Sequence, residues 1–99
     1  MLKQAHLYIK GDVIGVGFRA WTKIQAKING ATGWVRNVFN DSHIFGSGGG
    51  VEALIQGEEE VVEKIVELIK QGPPVSRVDD VEIYWQEAKE NFEGFEIRK

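Results

Sequence analysis

Between His6 and Ile28 the spacing of apolar side chains changes from every second residue to every third or fourth, across a turn that carries two glycines. Leu7, Ile9 and Val13 alternate with His6, Tyr8 and Lys10, the pattern of a half-buried strand over about residues 5–13. Phe18, Trp21, Ile24 or Gln25, and Ile28 then recur at helical spacing, and Asn29-Gly30 supplies a stop. A chain that passes from strand to helix in so few residues must turn sharply. Gly15 and Gly17 allow it, because a residue without Cβ takes unusual dihedrals and lets backbone approach a ligand closely.

Such a junction aims unpaired backbone N–H groups at one point, and the helix dipole adds partial positive charge there. Arg19, in the first turn of the expected helix, adds a planar fork of donors matched to phosphate or carboxylate. The run Gly11, Asp12, Val13, Ile14, Gly15, Val16 and Gly17, with Arg19 behind it, therefore describes an anion cradle, phosphate foremost. It lacks the Gly-Lys-Ser/Thr of a nucleotide loop and the full glycine spacing of a dinucleotide site.

The rest of the chain continues the alternation of periods. Trp34, Val35, Val38 and Phe39 mark a second strand, and Val51 to Ile55 a third, punctuated by Gln56-Gly57. Val61, Val62, Ile65, Leu68 and Ile69 form one helical stripe, with Glu58, Glu59 and Glu60 at its positive end and Lys70 at its negative end. Gly72-Pro73-Pro74 ends it. Val81, Ile83 and Trp85 alternate as a fourth strand, and Phe95 and Ile97 suggest a short fifth. The order predicts an α+β fold: a ferredoxin-like sandwich, βαββαβ, its antiparallel sheet carrying two helices on one face. The connection from Val38 to Gly50 holds 13 residues and four of the 12 glycines, long for a hairpin loop. Its Gly46-Ser47-Gly48-Gly49-Gly50 tail lacks apolar anchors and is expected to be mobile; a lid over the anion site is the sharper alternative.

Composition sets the bounds on function. Ninety-nine residues suit a single domain, 1–99, that buries roughly 60–70% of its unfolded surface. Without cysteine there is no disulfide, thiolate or cysteine–zinc chemistry. No apolar run reaches the ~20 residues of a membrane span, and Met1-Leu2-Lys3-Gln4 does not read as a signal peptide, so a cytoplasmic location is expected. A net charge of −3 without a basic stripe argues against nucleic acid, and Tyr8 on a possible open sheet face is too little to reverse that. Asp41-Ser42-His43 has the residue types of a hydrolytic triad, but three consecutive turn residues cannot align nucleophile, base and acid. His6 and His43 have no carboxylate at metal spacing, so no metal is expected. Asp79-Asp80 reads as a solvated or capping pair at a strand entrance. Asn37, near the end of the second strand, is a turn residue by default. Beside an anion cradle it becomes a candidate for orienting water, since its amide both accepts and donates without titrating.

Gly11-x-Val13-x-Gly15-Val16-Gly17-Phe18-Arg19, followed by Gly33-Trp34-Val35-Arg36-Asn37, resembles the paired signature of the acylphosphatase family. Val51 to Gly57, Gln71-Gly72-Pro73-Pro74 and the ending Phe92-Glu93-Gly94-Phe95-Glu96-Ile97 extend the likeness over essentially the whole chain. The resemblance implies the ferredoxin-like sandwich and hydrolysis of acyl phosphates to carboxylate and inorganic phosphate, with no metal or cofactor and a monomer as the default. It also implies that the loop from Gly11 to Gly17 binds phosphate through backbone N–H groups. Phosphate binding by arginine is carried onto Arg19, and water positioning onto Asn37. A non-catalytic module binding phosphate or carbamoyl phosphate on the same fold is the alternative. Two departures stand out: Ile14 occupies the family's usual Gln position, and the connection after Asn37 is several residues longer than is typical.

Overall fold

The alternation along the first strand divides the molecule into two faces. In the computed structural model, which describes residues 2–88 and 90–99 apart from the side chain of Ser47, strand β1 runs from Leu2 to Asp12. Ala5, Leu7 and Ile9 are fully buried on one face, while His6, Tyr8 and Lys10 stand on the other. The remaining elements are α1 (Phe18–Asn29), β2 (Thr32–Val38), the short turn α2 (Ser42–Phe45), β3 (Gly50–Glu58), α3 (Glu59–Gln71), β4 (Arg77–Glu87) and β5 (Phe95–Arg98). The sheet order is β4-β1-β3-β2-β5. Every pairing is antiparallel except that of β2 with β5, which is parallel.

Helices α1 and α3 cover the face that carries Ala5, Leu7, Ile9, Val35, Val51, Ala53 and Ile55. This is the expected ferredoxin-like α+β arrangement. Of the expected α3 stripe Val62, Ile65 and Ile69 are buried, Val61 and Leu68 are partly buried at its flanks, and Val66 joins the buried face, each full burial contributing about 1.5–3 kcal/mol. Two glutamates, Glu59 and Glu60, fall in its first turn and Lys70 in its last, matching the dipole.

Helix α1 corrects the expected stripe. Its buried residues are Phe18, Thr22 and Ala26, while Ile24 and Ile28 are exposed. Positions four apart keep one face, and the small Thr22 and Ala26 let the helix sit close on the sheet. The buried Thr22 hydroxyl donates to the Phe18 carbonyl oxygen at 2.9 Å, so its polar atom is satisfied. Three boundaries also differ: β3 extends through Gln56-Gly57 to Glu58, Phe39 lies beyond β2, and Asp79-Asp80 lie inside β4 rather than at its entrance. Trp85, on the edge strand, remains half exposed.

The long connection is more structured than its glycines suggest. Residues 42–45 form a helical turn whose Phe45 N–H donates to the Asp41 carbonyl at 2.9 Å. The Phe45 ring packs edge-on against Tyr8 at 5.9 Å and covers Gly50, where a Cβ would collide with it. The anchor missing from the glycine tail is thus supplied by the residue just before it. Among the described residues no helix is long and apolar enough to cross a membrane.

Candidate functional site

The register of β1 against β4 slips between Lys10 and Gly11, and bulges of this kind bend a strand away from its partner. Beyond this point Val13 is buried and ties the start of the turn to the core. Gly15 and Gly17 both have φ +79°, in the left-handed region. Nothing lies within 4 Å of where their Cβ atoms would be, so the backbone angle, not crowding, favours glycine there. Gly17 is the N-cap of α1, which has no side-chain cap and no acidic residue in its first turn. The opening amides of the helix are therefore left for another partner.

A cleft of about 150 Å³ opens at this junction, well below the roughly 300 Å³ from which drug-sized pockets start. Its size suits a small anion with a short substituent. Gly15, Gly17, Arg19 and Asn37 form its polar side, and Val13, Phe18, Ala20 and Ile97 its apolar side. Asn37 comes from β2, where it pairs with Val51, so it projects on the helix-covered face. Arg19 donates from Nη1 to the Arg98 carbonyl oxygen of β5 at 3.3 Å. Among the described residues no carboxylate pairs with Arg19. A guanidinium at the positive end of a helix with no counter-charge is an electrostatic vacancy for an anion.

Of the residues singled out from sequence, the fold brings Val13, Gly15, Gly17, Arg19 and Asn37 to one cleft. Gly11 and Asp12 are the last residues of β1, paired with Val78 and Arg77, and lie at the base of the turn. A Cβ on Gly11 would collide with the Arg77 carbonyl, which ties that glycine to close packing of β1 on β4. Ile14 and Val16 are partly buried beside the cleft. Val16 packs on the core, and the Ile14 δ-carbon lies beside Gly49 of the long connection. The lining residues that sequence reading did not assign to the site are Phe18, Ala20 and Ile97, together with the Arg98 carbonyl. A backbone carbonyl leaves no mark in a sequence, and Ile97 signalled only a short fifth strand.

The opposite face holds one further pairing hidden by sequence distance. His6 Nε2 lies 2.6 Å from Glu52 Oε2, and Arg36 donates to the other carboxylate oxygen at 2.6 Å. Tyr8, next to this cluster, has its phenol pushed above the ordinary range, chiefly by burial and then by the Glu52 charge. Asp41 is the N-cap of the short turn α2 and Ser42 and His43 are its first residues, so the three stay in one turn as expected.

Two helices over one face of a largely antiparallel sheet, with a small-anion cleft at the first strand–helix junction, define a ferredoxin-like α+β protein. The acylphosphatase family model matches residues 5–97. An acylphosphatase of Pyrobaculum arsenaticum is 43% identical over 96 residues, which span 97% of this chain and 94% of that one. One of Thermococcus kodakarensis is 44% identical over 94 residues, 95% and 93% of the two chains. The crystal structure of the Bacillus subtilis acylphosphatase superposes with a TM-score of 0.85 at 33% identity, covering 100% of both chains. This chain belongs to the acylphosphatase family and is an enzyme of that family.

Proposed function

We propose that the chain hydrolyses the carboxyl–phosphate bond of acyl phosphates, releasing a carboxylate and inorganic phosphate, and that the unit 1–99 does so as one domain. The observation that carries the assignment to this cleft is Arg19, without a carboxylate partner among the described residues, beside a helix N-terminus with no side-chain cap and across from Asn37. In this reading the 11–17 segment and the first amides of α1 cradle the phosphoryl oxygens. Arg19 neutralises their charge, and the Arg98 carbonyl keeps its guanidinium aimed. Asn37 holds the attacking water in line with the scissile P–O bond.

Phosphoryl transfer through a loose transition state asks mainly for alignment and charge stabilisation. Water bonds to phosphorus as the bond to the acyl oxygen breaks, and that bond's electron pair leaves on the carboxylate. A carboxylate is a stable leaving group and needs no strong general acid. The water proton passes to a phosphoryl oxygen, since among the described residues no lining side chain is an evident base.

The test is release of phosphate from acetyl phosphate and benzoyl phosphate, with and without added inorganic phosphate. Turnover with competitive inhibition by phosphate is expected. A folded protein that binds phosphate, seen as a rise in Tm, but releases none would favour the binding-module alternative. That alternative draws on the match to full-length HypF, with a TM-score of 0.84 at 27% identity over 12% of that larger chain.

A further inference from the structure

An acyl phosphate has two ends, and the cradle accounts for one. The rest of the lining comes from Val13, from Phe18 and Ala20 in the first turn of α1 and from Ile97 of β5, and all of it is apolar. Ile97 of β5 sits opposite Val35 in the parallel β2–β5 pairing, on the same face of the sheet. Val35 is fully buried, whereas Ile97 is 42% exposed and lines the cleft. The next residue, Arg98, belongs to the other face: its guanidinium lies 5.0 Å from the Trp34 ring and bonds Glu96 at 3.1 Å. Only the Arg98 carbonyl reaches the site, and Arg19 takes it. From α1, Ala20 adds only a methyl group to the lining.

The chemistry of that wall is one-sided. Among the described residues lining the cleft, Arg19 is the only one that carries a charge, and the cradle engages it. An acyl group with a carboxylate or second phosphate of its own would find no further cation there. An uncharged alkyl or aryl group would cover Ile97 and remove apolar surface from water.

We propose that Ile97 is a specificity-determining contact for the acyl group, selecting acyl phosphates whose acyl part is apolar and uncharged. The proposal rests on the reading that the cleft takes an acyl phosphate.

The experiment compares kcat/KM for benzoyl, acetyl and succinyl phosphate in the natural protein and in Ile97→Ser, Ile97→Leu and Ile97→Lys. Each variant is checked for its melting curve and for inhibition by inorganic phosphate. Ile97→Ser should lower the benzoyl-to-acetyl ratio roughly four- to fifteenfold, the loss of one to two buried methylenes, while inhibition by phosphate moves far less. Ile97→Leu should hold the ratio, and Ile97→Lys should raise succinyl phosphate relative to benzoyl phosphate. An unchanged ratio in Ile97→Ser, or an equal fall for all three substrates, overturns the proposal, the second because it reports a structural role. If the natural protein turns over none of the three, the hydrolase reading itself fails and takes this one with it.

Discussion

The two faces of the sheet treat charge in opposite ways. On the open face Lys10, Arg36 and Arg98 each hold a carboxylate, at 3.0, 2.6 and 3.1 Å. Tyr84, Tyr8, His6 and Trp34 form a row of ring contacts across the same surface. On the helix-covered face, at the mouth of the cleft, Arg19 bonds a backbone carbonyl and, among the described residues, no carboxylate, and it stands at the helix end where the dipole is positive. A cation so placed costs about 0.3–1 kcal/mol. The carboxylate pairing of the open face serves the folded state. On the proposed function, stability at the cleft is given up to a charge that an anion would compensate.

Substitution at Arg19 tests this contrast most severely. Arg19→Ala should lower kcat/KM by about 10²–10³-fold, the usual cost of one charge-stabilising donor, and abolish most of the inhibition by phosphate. Its Tm should hold or rise. Arg19→Lys should fail in large part, because a point charge does not replace the planar fork. Asn37→Ala should reduce kcat by a similar ~10²–10³-fold while inhibition by phosphate stays nearly intact, since its contact matters chiefly in the transition state. A marked fall in Tm for Arg19→Ala would break the comparison, because the arginine would then belong with the structural charges.

On the open face the balance should invert. The Glu52 carboxylate is 8% exposed and serves both His6 and Arg36. Glu52→Gln should cost about 1–3 kcal/mol in urea unfolding, with kcat per folded molecule within about twofold. Loss of turnover in a folded Glu52→Gln protein would show the two faces to be coupled.

The long connection stands between the two faces, touching Tyr8 through Phe45 and Ile14 through Gly49. Phe45→Ala should cost about 1–2 kcal/mol. Shortening residues 42–49 to a tight turn should cost at least that much, although loop-closure entropy alone is nearly indifferent to length. A deletion without measurable cost would return the segment to the mobile loop that its glycines suggest. A folded deletion variant with collapsed turnover would make it a lid.

Legibility in the sequence followed the range of the interactions. Strand alternation, the α3 stripe and the glycine turn are local patterns, and each marked its element. The α1 stripe misled because Ile24 and Ile28 are larger than Thr22 and Ala26, yet the smaller residues face the sheet. Hydrophobicity ranks residues, while close helix–sheet approach selects for size. Arg19 and Asn37, 18 positions apart, could be joined only through the expected strand order, and the fold does bring them to one cleft. Ile97 and the Arg98 carbonyl reach it by the parallel pairing of the last strand with β2. The 46-residue separation of His6 and Glu52 likewise closes only across the sheet.

The smallest effect should come from Lys10 and Glu82, which bridge β1 to the edge strand β4 on the open face. The Lys10 ammonium donates to Glu82 at 3.0 Å, and this hydrogen bond, outweighing partial desolvation, holds the Glu82 carboxyl below its ordinary value. Tyr84 adds a longer contact to the other oxygen, at 3.3 Å. A carboxyl whose pKa is lower in the folded chain stabilises it above the unfolded pKa, and that contribution fades as pH falls through the folded value. Glu82→Gln should therefore lower Tm slightly at pH 7, and the two proteins should converge in acid, as pH falls below the ordinary glutamate range. Added salt at pH 7 should narrow the gap as well, since both side chains are partly exposed to solvent. A difference that survives both acid and salt would mean that Glu82 acts through packing, and the open face would then owe less to its paired charges than its geometry implies.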